Sequence, residues 1–367
     1  MVKSFTLAVT AVALSLVTAK AHAFSTSVID PNGPAYAWGK AVGDIDGDGR
    51  QDFVVGGYDA RRGGLYWYKN PSWKREMISA RARIGTDMQV VDLDRDGRQD
   101  IVAITYNGGR HGLTLYRRSG KGWSSRTLAY SIPLHDIEVV DLDRDGKLDL
   151  AARGQQGAGK ALHLWRQVSL TQWSYTRLAV PTGGEGLLAV DLNRDGRPDL
   201  VVGKYWFANG SSPGRLAFGR HTYNMAAPTN AYVAAGDLNG DGRVDLVTSP
   251  AEPAGQRYRT SWFQAPASPT ATWAEHVLEN NVEAVVHFAG VADFNGDGRN
   301  DVATDMMQQG RNPKIKIYYN RGGKFGPPAI VANASSHSMK IINVNGRRAL
   351  AGADWRMSPR TPVRLWR

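Results

Sequence analysis

The sequence contains no cysteine. A disulfide framework is therefore excluded, and an exported chain of this kind needs other staples, such as metal ions or a closed architecture. No segment sustains helical periodicity, which argues against a helical bundle. Beyond the N-terminus no run approaches the ~18 apolar residues that a membrane-spanning helix requires. Glutamate is scarce beside aspartate, and histidines number only 8.

What is present begins with a leader. Lys3 gives a positive start, Phe5 to Ala19 is mostly apolar, and Ala21-His22-Ala23 is a small-x-small cleavage site. Residues 1–23 read as a secretory signal peptide, too short in its apolar run for a membrane anchor. The expected product is secreted or periplasmic, begins at Phe24 and forms one domain over 24–367. Net charge is +11. A basic exported protein suits a polyanionic partner such as an acidic polysaccharide or glycan. Nucleic acid has only the charge in its favour, and no membrane insertion is expected.

The mature chain repeats itself. Asp44-Ile-Asp-Gly-Asp-Gly-Arg-Gln-Asp52 returns at Asp92–Asp100, Asp141–Asp149, Asp191–Asp199, Asp237–Asp245 and Asp293–Asp301. Asn343-Val-Asn345-Gly346-Arg347 looks like a worn, shortened seventh copy. An apolar run precedes and follows each loop, then an aromatic strand such as Leu65-Tyr-Trp-Tyr68, then a strand often opened by Trp, as at Trp73 or Trp123. Four short strands per unit of this length predict an all-β, seven-bladed β-propeller. The last unit supplies three strands, and Phe24–Ile29 is expected to add the fourth. That N-terminal strand would close the ring and cover the sheet edges. A closed ring of this kind is expected to be a monomer.

The loop pattern Asp-x-Asp/Asn-x-Asp-Gly-x-x-Asp carries its own chemistry. Oxygens of positions 1, 3 and 5 point at one centre, the carbonyl of position 7 joins them, and position 9 is expected to complete the shell. Oxygen ligands without His or Cys select calcium. The candidate ligands are Asp44, Asp46, Asp48, Arg50 and Asp52 in the first loop; Asp92, Asp94, Asp96, Arg98 and Asp100 in the second; Asp141, Asp143, Asp145, Lys147 and Asp149 in the third. They continue as Asp191, Asn193, Asp195, Arg197 and Asp199; Asp237, Asn239, Asp241, Arg243 and Asp245; and Asp293, Asn295, Asp297, Arg299 and Asp301. Up to six structural Ca2+ ions are expected, and none in the seventh loop. The EF-hand glutamate at position 12 is replaced by strand-like residues such as Val55 and Thr304, so an EF-hand is not expected. These loops resemble the FG-GAP or VCBS repeat family of calcium-binding β-propellers. That resemblance implies the fold and the ion, and it leaves the activity open.

Function must come from positions that do not repeat in kind. Six residues before each loop stand Trp38, Thr86, His135, Glu185, Ala231, His287 and His337. Strand direction puts them all at one mouth of the central channel. Returning strands bring Tyr58, Asp59, Tyr106, Arg153, Lys204, Tyr205, Glu252, Asp305, Asp354 and Arg356 to the same rim, with Asp87, Asp136, Arg61 and Arg110 as neighbours. A mouth with His, Tyr, cations and carboxylates converging is the default site of a propeller. Such histidines could also simply bond their neighbours across a narrow channel.

His135-Asp-Ile-Glu-Val-Val-Asp, Gly184-Glu-Gly, Lys204-Tyr-Trp206, Val286-His-Phe288, Ser336-His-Ser-Met339 and Ala353-Asp-Trp355 resemble a branch of these propellers that includes rhamnose–glucuronate lyases and aldos-2-ulose dehydratases. The resemblance implies β-elimination beside an acidified carbon. Met307 and the worn seventh loop depart from it. In that reading Arg153, Lys204 or Arg356 neutralises the uronate, His135 or His337 takes the proton, and Tyr205 or His287 protonates the leaving oxygen. Trp38, Tyr58, Asp87, Tyr106, Glu185, Trp206, Glu252, Asp305 and Asp354 would bind substrate. A dehydratase carrying an additional catalytic metal on His135, His287 or His337 is the second reading. A non-catalytic carbohydrate-binding or adhesion propeller, stacking sugars on Trp206 and Trp355, is the third. A two-carboxylate glycosidase needs a suitable pair among Asp87, Glu185, Asp305 and Asp354.

Overall fold

A computed structural model describes residues 24–107, 110–120, 122–154, 161–252, 255–354 and 361–367. The expected leader, Trp355 and Arg356 lie outside these residues. Among the described residues there are seven four-stranded antiparallel sheets, each ordered from the inside outward. Blade 1 consists of Gly39–Gly43, Asp52–Gly57, Gly64–Lys69 and Lys74–Ser79. Blades 2 to 6 follow over 84–130, 136–179, 188–222, 231–283 and 286–332. Blade 7 takes Lys340–Val344, Arg347–Ala353 and Thr361–Trp366 from the C-terminus and Thr26–Gly33 from the N-terminus.

That last strand pairs Thr26 with Trp366 and Gly33 with Thr361. Ser25 and Arg367 extend the pairing by exchanging backbone bonds of 2.7 and 3.0 Å. The strand runs further than the six residues expected from the sequence and tolerates Pro31, as an outer strand can. No described helix is long and apolar enough to cross a membrane.

Seven apolar clusters are found among the described residues, one at each blade–blade interface. Alternation along each strand sends side chains to both neighbouring interfaces. Trp67, Tyr116, Trp165, Trp262, Tyr318 and Trp366 on third strands are buried there. The interface of blades 7 and 1 joins Ile342, Ala351 and Leu365 to Phe53, Val55 and Tyr68, so the ring closes through core as well as through strand pairing.

Six of the seven inner hairpins end in the acidic loop. The glycine at position 6 has φ between +79° and +87° in all six, a conformation that needs no Cβ. Position 1 holds the turn: in the first loop Asp44 accepts the N–H groups of Gly47, Asp48 and Gly49 at 2.8–3.0 Å. The seventh hairpin is built differently. Asn345 and Gly346 have φ of +53° and +80° between paired Val344 and Arg347, the signature of a two-residue type I′ turn. The worn copy is therefore a tight hairpin that replaces the acidic loop.

Candidate active site at the channel mouth

Six of the seven ring positions line one cavity of about 380 Å3: Trp38, Thr86, His135, Glu185, His287 and His337. Ala231, the seventh, is fully buried and is not part of the lining. Hydrogen bonds between blades set the ring. The Thr86 hydroxyl donates to the His135 carbonyl, Asn230 accepts the Glu185 N–H at 2.7 Å, and Asp136 accepts the Gly186 N–H at 3.0 Å. Buried Lys40 donates to the carbonyls of Ala37 and His337, tying blade 1 to blade 7.

His135 sits between two carboxylates. Its Nδ1 is 3.2 Å from Asp136 and its Nε2 3.3 Å from Glu185. Burial lowers its basicity, but Glu185 and Asp136 outweigh burial and push its pKa up to about 9. It is a cation at neutral pH. His287 is its opposite. Neither ring nitrogen has a hydrogen-bond partner, and burial next to His135 pulls it down to about 3. Its Nε2 lies 3.5 Å from Glu185 and 3.9 Å from Glu252. His337 packs edge-on against His287 at 4.9 Å and is likewise held neutral, chiefly by burial. Glu252, at a positive φ of 21°, keeps 40% of its side chain exposed in the cavity. Oxygens of Glu185 and Glu252 and a nitrogen of His287 all lie within 4.8 Å of one another, so these three side chains can share a cation.

The other expected site residues divide. Tyr58 stacks on Trp38 at 4.2 Å, and Tyr106 follows at 5.3 Å. His337 also stacks on Trp38, at 6.0 Å. Asp87 lies deeper, paired with Lys340 at 3.1 Å. Asp59 caps a turn through the N–H groups of Arg61 and Arg62. Asp305 is fully buried and accepts the Ser336 N–H at 3.0 Å, while Asp354 pairs with Arg364. Of the four acids from which a glycosidase pair was to be drawn, only Glu185 lines the cavity, where its carboxylate neighbour is Glu252.

Three expectations are corrected. Arg153 is buried, and its guanidinium donates to the carbonyls of Glu185, Gly186 and Thr229, so it is not available to a substrate carboxylate. Trp206 is 1% exposed, packed in the core of blades 4 and 5 under His221, and no sugar can stack on it. Lys204 and Tyr205 lie against each other and Arg220 on blade 4, outside the cavity lining. Strand ends alone did not distinguish a side chain turned inward from one turned to the next blade. His111, Pro133, Leu134 and Gln309 also line the cavity with Met307. The first four come from loops and strand ends outside the repeat and left no periodic signal.

In the loops, acidic oxygens of Asp44, Asp46 and Asp48, of Asp92, Asp94 and Asp96, and of Asp141, Asp143 and Asp149 converge within 4.8 Å. Buried Oδ1 atoms of Asp46 and Asp141 lack any hydrogen-bond partner. Hard, converging oxygens with unsatisfied lone pairs fit a calcium ion. Position 9 does more than was expected of it. Asp52 accepts the N–H of Ile45 and of Asn70 at 3.0 and 2.9 Å. Asp149, Asp199, Asp245 and Asp301 repeat this pair of bonds. It pins the loop to the third strand, whatever it adds to a metal shell.

Residues 44–103, 92–152 and 141–202 match the FG-GAP-like repeat family, each match running from one acidic loop through the next. No curated protein matches the chain. Among solved structures, a chain of "Crystal structure of BBS1N in complex with ARL6DN, soaked with mercury" is similar, with a TM-score of 0.59, 8% identity, and coverage of 93% of this chain and 95% of that one. At that identity the likeness speaks for the fold alone. The chain carries FG-GAP-like repeats in a seven-bladed β-propeller.

Proposed function

We propose that the chain is an exported carbohydrate-active lyase that removes a terminal sugar, such as rhamnose, from a glucuronic acid of an acidic glycan by β-elimination. The observation that carries this reading is the juxtaposition of cationic His135 with neutral, unpartnered His287 in one cavity. Elimination beside a carboxylate needs a cation to stabilise charge developing on that carboxylate, and a base for the α-proton. His135, which unlike Arg153 lines the cavity, is the cation of this reading, its charge shared with Asp136 and Glu185. His287 takes the proton from C5 of the uronate. The C5–H electron pair forms the C4–C5 double bond, the C4–O bond breaks, and the sugar leaves with its oxygen. H5 and O4 of a glucuronate lie on the same side, so the imidazolium of His287 can return the proton to that oxygen. The roles first given to His135 and Tyr205 thus pass to other residues.

The net charge of +11 favours an acidic glycan, and the leader-like N-terminus favours action outside the cytoplasm. Each acidic loop is assigned one structural calcium ion, which would neutralise the aspartates and fix the hairpin. Unsaturated uronate, read by ultraviolet absorbance, tests the reading.

A second reading rests on Glu185, Glu252 and His287. Imidazole with two carboxylates would suit zinc, which as a Lewis acid could support a dehydratase on an oxidised sugar. Stoichiometric zinc in the purified protein, with turnover of such a sugar and none of a uronate glycan, favours it over the lyase.

A further inference from the structure

The six acidic loops are not equivalent, and the difference is written twice in each blade. Loops 1 to 3 carry aspartate at position 3: Asp46, Asp94 and Asp143. Loops 4 to 6 carry asparagine there: Asn193, Asn239 and Asn295. On the third strand, the residue level with the position-9 aspartate is Lys69, Arg117 or Arg166 in blades 1 to 3. In blades 4 to 6 the same place holds Ala208, Gln264 or Tyr319. A cation stands on the strand wherever the loop has the extra carboxylate, and nowhere else.

The pairs are in contact. Lys69 bonds Asp46, Arg117 bonds Asp94, and Arg166 lies 3.9 Å from both Asp143 and Asp145. The acids are sequestered, with side chains 10%, 4% and 0% exposed. In blades 4 to 6 the asparagine amide instead donates to the position-5 aspartate at 3.2, 2.9 and 3.1 Å. Position 7 is basic in all six loops and pairs with position 5. In loops 1 to 3, four aspartates against two cations leave −2. In loops 4 to 6, three aspartates against one cation also leave −2. Arg95, Arg144 and Arg194 at position 4 reach toward the following loop and stand outside this count.

We propose that Lys69, Arg117 and Arg166 are built-in counter-ions of the extra position-3 carboxylate, giving the loops of blades 1 to 3 the same balance of acids and directly paired cations as those of blades 4 to 6. The loops then form two classes. Those of blades 1 to 3 balance an extra ligand carboxylate with a tethered cation. Those of blades 4 to 6 dispense with both. A carboxylate without its cation would leave a loop at −3, self-repelling when empty and over-attractive to a divalent ion when filled. The buried Oδ1 of Asp46, which lacks a hydrogen-bond partner while Lys69 occupies its other oxygen, is the atom left for that ion.

The inference rests on the reading that the loops take a divalent cation. It is tested on the full mature chain with calcium as the probe. One variant combines Lys69→Met, Arg117→Met and Arg166→Met; a second adds Asp46→Asn, Asp94→Asn and Asp143→Asn. Calcium isotherms and thermal midpoints in chelator are measured for both. The first variant is expected to bind calcium roughly tenfold more tightly at three sites, a difference of about 1.4 kcal/mol each, and to melt lower in chelator. The second is expected to return toward wild type on both readouts. The reverse exchange guards against a misfolded variant: Asn193→Asp should tighten one site, and adding Ala208→Lys should cancel the change. Unchanged or weakened affinity on removing the cations, or a second variant no closer to wild type than the first, overturns the proposal. A wild-type chain that takes up no calcium removes the loop reading itself, and this proposal with it.

Discussion

Nε2 of His135 lies 3.3 Å from Oε1 of Glu185, across the boundary between blades 3 and 4. The pair fixes the charge of the mouth, and its sign can be followed with pH. The folded pKa of His135 is raised, to about 9, above an unfolded value of ~6.5. The contribution of His135 is therefore lost as pH rises from ~6.5 through about 9, while Glu185, which burial raises to about 7, gives up its proton within the same window. The thermal midpoint should fall over that window in the wild type, and the fall should shrink in His135→Asn. An equal fall in both would remove the pair from the account.

Activity should follow the same groups. His287 is pulled down to about 3, so the base stays neutral through pH 5 to 7. The kcat/KM profile should lack the acid limb near pH 6.5 of an ordinary histidine base, and should decline as His135 loses its proton near pH 9. A half-maximum near 6.5 on the acid side would contradict the assignment of His287.

Arg153 is structural. Arg153→Met strands the carbonyls of Glu185, Gly186 and Thr229 in the interior, which should cost about 3 kcal/mol. Denaturant unfolding checks this. A change in activity with stability intact would return the residue to the substrate.

Position 9 of a loop can be separated from position 5. Asp52→Ala removes the acceptor of two buried N–H groups and should destabilise by about 2 kcal/mol even in chelator. Asp48→Asn keeps an acceptor oxygen for the Arg50 N–H and should matter only when calcium is present. Melting each variant with and without chelator distinguishes the two roles.

Deleting residues 24–33 should expose the edge of Thr361–Trp366. Aggregation, followed by light scattering, is the expected result, and a soluble monomer of unchanged midpoint would show that the ring does not depend on this strand.

The blade count, the closing strand and the ring were legible because each rests on backbone period. The position six residues before a loop is fixed by strand register, so Trp38, Glu185 and His337 could be gathered from sequence alone. Which way a rim side chain turns depends on the neighbouring blade, and there Arg153 and Trp206 misled. The protonation of His135 was also illegible, because Glu185 approaches it from a different blade, 50 residues along the chain. The Asn345-Gly346 turn and the matching of Lys69 with Asp46 were in the sequence. The first is a known hairpin signal, and the second emerges only when the third strands are aligned by register.

The most direct test of the central claim is absorbance of unsaturated uronate when the purified mature protein meets a glycan ending in a sugar linked to O4 of glucuronic acid. A rise with release of that sugar is expected, abolished in a folded His287→Ala variant and retained in Lys204→Ala. A flat trace with folded, calcium-loaded protein, or a rise undiminished in His287→Ala, would contradict the claim.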